Sequence, residues 1–162
     1  MRLFDHSLLM FYLLFFCVIS PLHSMESQHV REEKPNMIGL FLGGTNTQNR
    51  NFFTYGLEYH HVMQFPFGFS FVAEDTPNNI FGHHEGEVVG LVTFNFFQHM
   101  TLGLGPGVQV EKGAASKMLG RISLGYVHML MKNIELTPSV DYNWVSRNSN
   151  KILYGITLGK QF

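Results

Sequence analysis

The sequence predicts an all-β protein: an eight-stranded antiparallel up-and-down transmembrane β-barrel behind an N-terminal signal peptide. Three observations predict it. From Met37 onward apolar and polar residues alternate with period two, and no long stretch holds a helical period. The connections between alternating runs are short and long by turns along the chain. The polar face of the runs is rich in glycine and poor in lysine, which suits the tight lumen of a small barrel better than a wetted surface.

The N-terminus comes first. Arg2, with Asp5 near it, precedes an apolar run from Leu8 to Ile19 that only Tyr12 interrupts. Ser20-Pro21 ends the run, and Leu22-His23-Ser24 offers a small cleavage edge, so residues 1–24 read as a signal peptide. The run is too short to span ~30 Å of hydrocarbon as a helix. Cys17 is the single cysteine and leaves with the signal; Phe16 before it is too bulky for a lipobox. No disulfide or cysteine metal site then remains. Residues 25–36, charged and containing Pro35, read as a disordered lead-in, and residues 37–162 as the barrel.

Composition agrees with one domain of this kind. The 162 residues are 45% apolar but only 14% charged, against about a quarter in soluble chains. Mean hydropathy is +0.03, far below a helical membrane protein and expected where apolar and polar positions cancel. A net charge of -1 with no basic stripe excludes a nucleic-acid partner.

The alternation places eight strands at Ile38–Asn46, Phe53–Met63, Pro66–Asp75, Glu87–Phe97, Met100–Glu111, Lys117–Leu130, Asn133–Val145 and Lys151–Phe162. Most approach the ~9–11 residues that a tilted strand needs to cross a bilayer. Short links fall around Gln64, Gln98-His99 and Met131-Lys132. Longer polar ones fall at Thr47–Phe52, Thr76–Gly86, Lys112–Ser116 and Ser146–Asn150. In strand two Phe53, Tyr55, Leu57 and Tyr59 oppose Thr54, Gly56, Glu58 and His60. In strand three Phe67, Phe69 and Phe71 oppose Gly68, Ser70 and Val72. Strand four is mixed: Glu87, Thr93 and Asn95 share a face with Val89 and Leu91. Strand five sets Leu102, Leu104, Pro106, Val108 and Val110 against glycines and Gln109; Pro106 and Pro138 lack an N–H and mark irregularities. Strand seven sets Ile134, Leu136, Val140, Tyr142 and Trp144 against Glu135, Thr137, Ser139, Asp141 and Asn143. In the last strand Ile152, Tyr154, Ile156, Leu158, Lys160 and Phe162 oppose Leu153, Gly155, Thr157, Gly159 and Gln161.

With the apolar face on lipid, aromatic side chains form interface girdles: Tyr55, Trp144 and Tyr154 at the ends with longer loops, Tyr59, Phe65, Phe97 and Phe162 at the other. His61, His128 and Lys160, polar groups on the lipid face, fall near that second rim, where a cation can snorkel. On the lumen face Arg121 is the clearest cation. Pairing strands six and seven across Met131 puts Arg121 opposite Asp141 and Ser123 opposite Ser139. That register suggests an Arg121–Asp141 ion pair, with Glu58, Glu111 and Glu135 as further carboxylates of an interior polar network.

Catalytic signals are thin. His60 and Ser70 lie on adjoining strands near Glu58, but in no recognisable motif, with Ser70 expected at a higher level than His60. His83-His84-Glu85 sits in the longest loop, where adjacent histidines rarely converge on one ion. Gly103-Leu104-Gly105-Pro106-Gly107 lies within a strand and is no phosphate cradle. No catalytic residue, cofactor or metal is assigned.

Met37 to Phe162 resembles small bacterial outer-membrane β-barrel proteins of the OmpA/OmpX-like transmembrane-domain size. The segments that carry the resemblance are Gly56-Leu57-Glu58-Tyr59, Leu104-Gly105-Pro106-Gly107-Val108, Leu136-Thr137-Pro138-Ser139-Val140 and the run Tyr154 to Phe162. Lys160 departs from it, because closing strands usually place an aromatic there. The resemblance implies export to the bacterial outer membrane, a periplasmic lead-in, contact with phospholipid and lipopolysaccharide, and recognition of the last strand by the barrel-assembly machinery. It implies a non-enzymatic envelope protein. Two alternatives stay open: a lipid-modifying barrel enzyme of the lipid A deacylase or acyltransferase type, and a secreted soluble barrel that binds a small apolar ligand.

Overall fold

Alternation of residue polarity sets which side of each strand turns inward, and the hydrogen-bond register sets how the strands close. The computed structural model describes residues 34–77, 84–96, 99–111, 113–146 and 150–162. The predicted signal peptide, Phe97 and His83 lie outside the described residues. Nine strands follow in order: β1 Asn36–Thr47, β2 Arg50–Val62, β3 Phe67–Thr76, β4 Glu85–Phe96, β5 Met100–Glu111, β6 Lys117–Tyr126, β7 His128–Met131, β8 Ile134–Val145 and β9 Lys151–Gln161. All neighbours are antiparallel. β1 pairs with β9, and both β6 and β7 pair with β8, so the sheet closes on itself. β6 and β7 are the two halves of one strand position, which makes this an eight-stranded barrel.

The closure has a definite stagger. The outward-facing row that leaves β1 at Asn36 runs through His61, Phe69, Val92, Leu104, Ile122, Tyr142 and Ile152 and returns at Asn46, ten residues further along β1. Eight strands with that stagger tilt by about 40° to the barrel axis, given ~3.3 Å per residue and ~4.8 Å between strands. The three short connections, 63–66, 97–99 and 132–133, lie at the end where β1 begins and β9 finishes, here the lower end. The end of β3 and start of β4, the end of β5 and start of β6, and the end of β8 and start of β9 lie at the upper end with the β1–β2 turn.

Four expectations are corrected. Thr47–Phe52 is no long loop: Gln48 and Asn49 alone make the turn, both in the left-handed region at φ 49° and 62°. Two residues with positive φ give the hairpin turn whose twist matches the strands, and asparagine tolerates that region. Glu85 and Gly86, expected in the loop, open β4. Strand six is broken at Val127, whose N–H is donated to the His99 carbonyl (2.6 Å). Finally, the turn centres on Lys132-Asn133 rather than Met131. With a register shift between Met129 and Met131, Arg121 then faces Asn143, and Ser123 faces Asp141.

Both strand prolines sit at irregularities. The β6–β8 ladder stops at Gly125↔Ser139 and resumes at His128↔Leu136, leaving Pro138 beside the Val127 break, while the β8–β9 ladder runs through Pro138 unbroken. The β4–β5 ladder lapses between Val89↔Gly107 and Val92↔Leu104, across Pro106, without a change of register. A missing N–H removes one ladder bond and leaves the other side intact.

Candidate functional site: a charged lumen inside an apolar belt

The polarity of the fold is inverted relative to a soluble protein. Leu40, Leu42, Phe71, Val92 and Met118 are each 58–64% exposed, whereas Arg121, Asn143 and Lys151 are at most 3% exposed. The alternating faces cause this directly, because the strands turn most of their glycines and threonines and every described glutamate inward.

Large side chains occupy much of the described lumen. Phe41 lies across its β1–β9 side, and the space for its ring exists because Gly43 and Gly155 carry no side chain: a Cβ there would stand 2.7 and 2.6 Å from the ring. Val72, Val89, Leu91, Leu119 and Val145 form a buried apolar cluster on the other walls. Small residues opposite large ones fill an eight-stranded interior.

Between these patches lies a cross-lumen ion network. Glu74 and Glu87 are directly opposed on β3 and β4, a like-charge pair that repels when alone. Arg121 on β6 offsets it from across the lumen: Nη2 donates to Glu74 Oε2 (2.5 Å) and to Glu87 Oε2 (3.0 Å), and Nε donates to Asn143 Oδ1 (2.8 Å). Asn143 Nδ2 in turn donates to Glu87 Oε2 (2.6 Å). Glu85 and Glu111 are a second opposed pair. Lys151 on β9 pairs with Glu85 and donates to Glu87 Oε1 (2.9 Å), while Lys117 lies 3.8 Å from Glu111. β9 and β4 are four strand positions apart in either direction around the sheet, so Lys151 ties the barrel across its diameter.

The residues expected in this network are distributed as follows. Arg121 and Asp141 approach to 3.9 Å as a diagonal contact rather than a cross-strand pair. Glu58 accepts from Thr157 Oγ1 (3.1 Å), and Glu135 accepts from Gln161 Nε2 (2.5 Å) lower in the lumen. Glu111 belongs to the Lys117 pair. Sequence reasoning missed Glu74, Glu85, Glu87, Lys117, Lys151 and the bridging role of Asn143. Extending the strand-three alternation by one step beyond Val72 would have turned Glu74 inward, and Lys151 precedes Leu153 on the lumen face of the last strand.

The girdle residues separate by level. Tyr55 at the upper end donates its hydroxyl to Asp75 Oδ2 (2.9 Å), and Trp144 and Tyr154 lie on upper strand ends. Trp144 lies over Gly120, which has no Cβ to obstruct the indole. At the lower end Tyr59 donates to Asn36 Oδ1 (2.8 Å) and Phe162 is 55% exposed.

The possible chemical groups are placed too. His60 and Ser70 are at one level rather than two, directly paired, with Nδ1 and Oγ 2.7 Å apart. Ser70 is 2% exposed and faces the filled lumen. His84 is 3.4 Å from Asp75, and among the described residues no three His, Cys, Asp or Glu side chains group to hold a metal ion.

No protein-family model and no curated protein matches the chain. Solved structures do. Neisserial surface protein A is 9% identical at a TM-score of 0.58, with 78% of this chain and 96% of that one covered. Ail, the attachment invasion locus protein of Yersinia pestis, is 15% identical at 0.53, covering 79% and 97%. The N-terminal β-barrel domain of Pseudomonas aeruginosa OprF is 11% identical at 0.53, covering 80% and 100%. At these identities the likeness is one of fold: this chain has the closed eight-stranded antiparallel fold of small outer-membrane barrels.

Proposed function

We propose that this chain is an integral outer-membrane β-barrel protein without catalytic activity. It contributes to envelope structure or presents its loop end to the outside, after export and removal of residues 1–24. Its partners are outer-membrane phospholipid and lipopolysaccharide, and the assembly machinery that reads β9. The observation that carries this reading is the inverted polarity: a belt of exposed Leu, Val, Ile and Phe around a lumen that buries Arg121 and Lys151. A filled lumen with a cross-diameter ion network argues against a general pore.

Trp144 is the single tryptophan and faces outward, which provides a direct test. Refolded into vesicles, the protein is expected to show quenching of Trp144 by lipids brominated on their acyl chains. Unboiled samples should migrate differently from boiled ones on gels, and planar bilayers should stay non-conducting. A processed chain that is monomeric in plain buffer, with Trp144 shielded, would refute the reading.

A lipid-modifying hydrolase is the second reading, favoured only by the His60–Ser70 hydrogen bond. A change in lipid A or phospholipid mass that requires the gene and disappears with Ser70→Ala would establish it.

A further inference from the structure

The outer surface of the lower rim is divided by charge. Among the described residues Glu58, Glu74, Glu85, Glu87, Glu111, Glu135 and Asp141 all lie on the lumen side, and the one outward acid, Asp75, is at the upper end against Tyr55. Among the described residues, the titratable side chains other than tyrosine on the outer surface of the lower rim are basic, and most lie on one side. Strands β2, β1, β9, β8 and β7 are consecutive neighbours. His61 stands on β2 and Lys160 on β9, Lys160 being paired with Ile38 of β1 and Ile134 of β8. Lys132 occupies the turn before β8, and His128 on β7 faces Leu136. The opposite side of the rim, on β3 and β4 and the turn before β3, presents Phe65, Phe67, Phe94 and Phe96 instead.

One element of the basic arc is held in place. Asn36 Oδ1, an acceptor only, receives both the Tyr59 hydroxyl (2.8 Å) and His61 Nδ1 (2.8 Å). His61 must therefore carry a proton on Nδ1, and its Nε2 can donate to a phosphate only in the doubly protonated imidazolium form. The ring also packs 5.1 Å from Phe69.

We infer that this arc, His61–Lys160–Lys132–His128, binds the phosphate headgroups of anionic glycerophospholipids in the leaflet that surrounds the lower rim. The inference rests on the membrane reading above. Charge complementarity carries it: basic groups with no acidic side chain among the described residues of the arc, at the depth where an apolar belt ends, match a phosphate layer. The aromatic side of the same rim supplies anchoring at that depth without charge preference.

The test uses the full chain inserted in phosphatidylcholine vesicles that carry a spin-labelled lipid, either phosphatidylglycerol or phosphatidylcholine. The motionally restricted fraction reports association with the barrel. Each lysine near an anionic surface is worth about fivefold in affinity, so the wild type should prefer phosphatidylglycerol several-fold, and less so in high salt. Lys132→Gln with Lys160→Gln and His128→Gln should abolish the preference, and Phe67→Leu with Phe94→Leu should leave it intact. Heat-modifiable migration checks that each variant is folded. If the triple variant does not fold, Lys132→Gln alone, in an exposed turn, should still lower the preference. Equal association of both lipids with the wild type, or a preference that survives the substitutions, overturns the inference while the membrane reading stands. A chain that enters neither vesicle overturns both.

Discussion

Replacing Arg121 with methionine keeps most of the side-chain volume and removes one buried guanidinium from Glu74, Glu87, Asp141 and Asn143. The side chain is 1% exposed, so water does not reach the groups left behind. Removing one partner of a buried ion pair costs about 3–5 kcal/mol, because the other charge is stranded. The stranded group here is chiefly Glu74. Glu87 keeps Lys151 and Asn143, whereas Arg121 supplies both ion pairs and hydrogen bonds that Glu74 makes in the network. Glu74→Gln is milder, about 1–2 kcal/mol, since the amide oxygen still accepts from Arg121. The double variant should then be less damaging than the two single costs together by ~1 kcal/mol or more, because methionine no longer faces an unpaired carboxylate. Urea titration of the vesicle-inserted protein, followed by Trp144 fluorescence, measures all three. The midpoint should fall without a change of slope. An Arg121→Met variant within ~0.5 kcal/mol of wild type, or strictly additive single costs, would mean that the network holds nothing together.

Two further outcomes follow from the same packing. Gly155→Ala places a methyl 2.6 Å from the Phe41 ring and should cost ~1–3 kcal/mol, with Phe41→Leu restoring part of the loss; urea midpoints of the single and double variants decide it. Gln48→Asn with Asn49→Gly matches residue type to the two left-handed positions of the β1–β2 turn. It should stabilise by about 0.5–1 kcal/mol, read as a higher urea midpoint.

The barrel was legible because a period of two is a local property. Strand seven separates Leu136 and Trp144 from Glu135 and Asp141 without reference to any other strand, and the closed sheet keeps that division. Register was less legible. A turn at Lys132-Asn133 rather than Met131, together with the register shift between Met129 and Met131, moved Arg121 from Asp141 to Asn143, and nothing in the residues themselves fixes either. The network was legible only in part, because its contacts cross the lumen. Glu74, Glu87 and Lys151 meet through the stagger of closure, which appears in no single strand. The Thr47–Phe52 segment misled because Arg50 and Asn51 look like loop residues; at an upper rim open to water, polar side chains fit a strand end as well as a loop.

The lumen's described cations, Lys117, Arg121 and Lys151, all enter from β6 onward, whereas the carboxylate pairs Glu74–Glu87 and Glu85–Glu111 are complete by the end of β5. A half-made sheet of the first five strands is therefore self-repelling along its concave side. It gains compensation only as the later strands swing round to meet β1, so shutting the ring and neutralising it are one event, and a chain arrested midway carries its own signal of incompleteness.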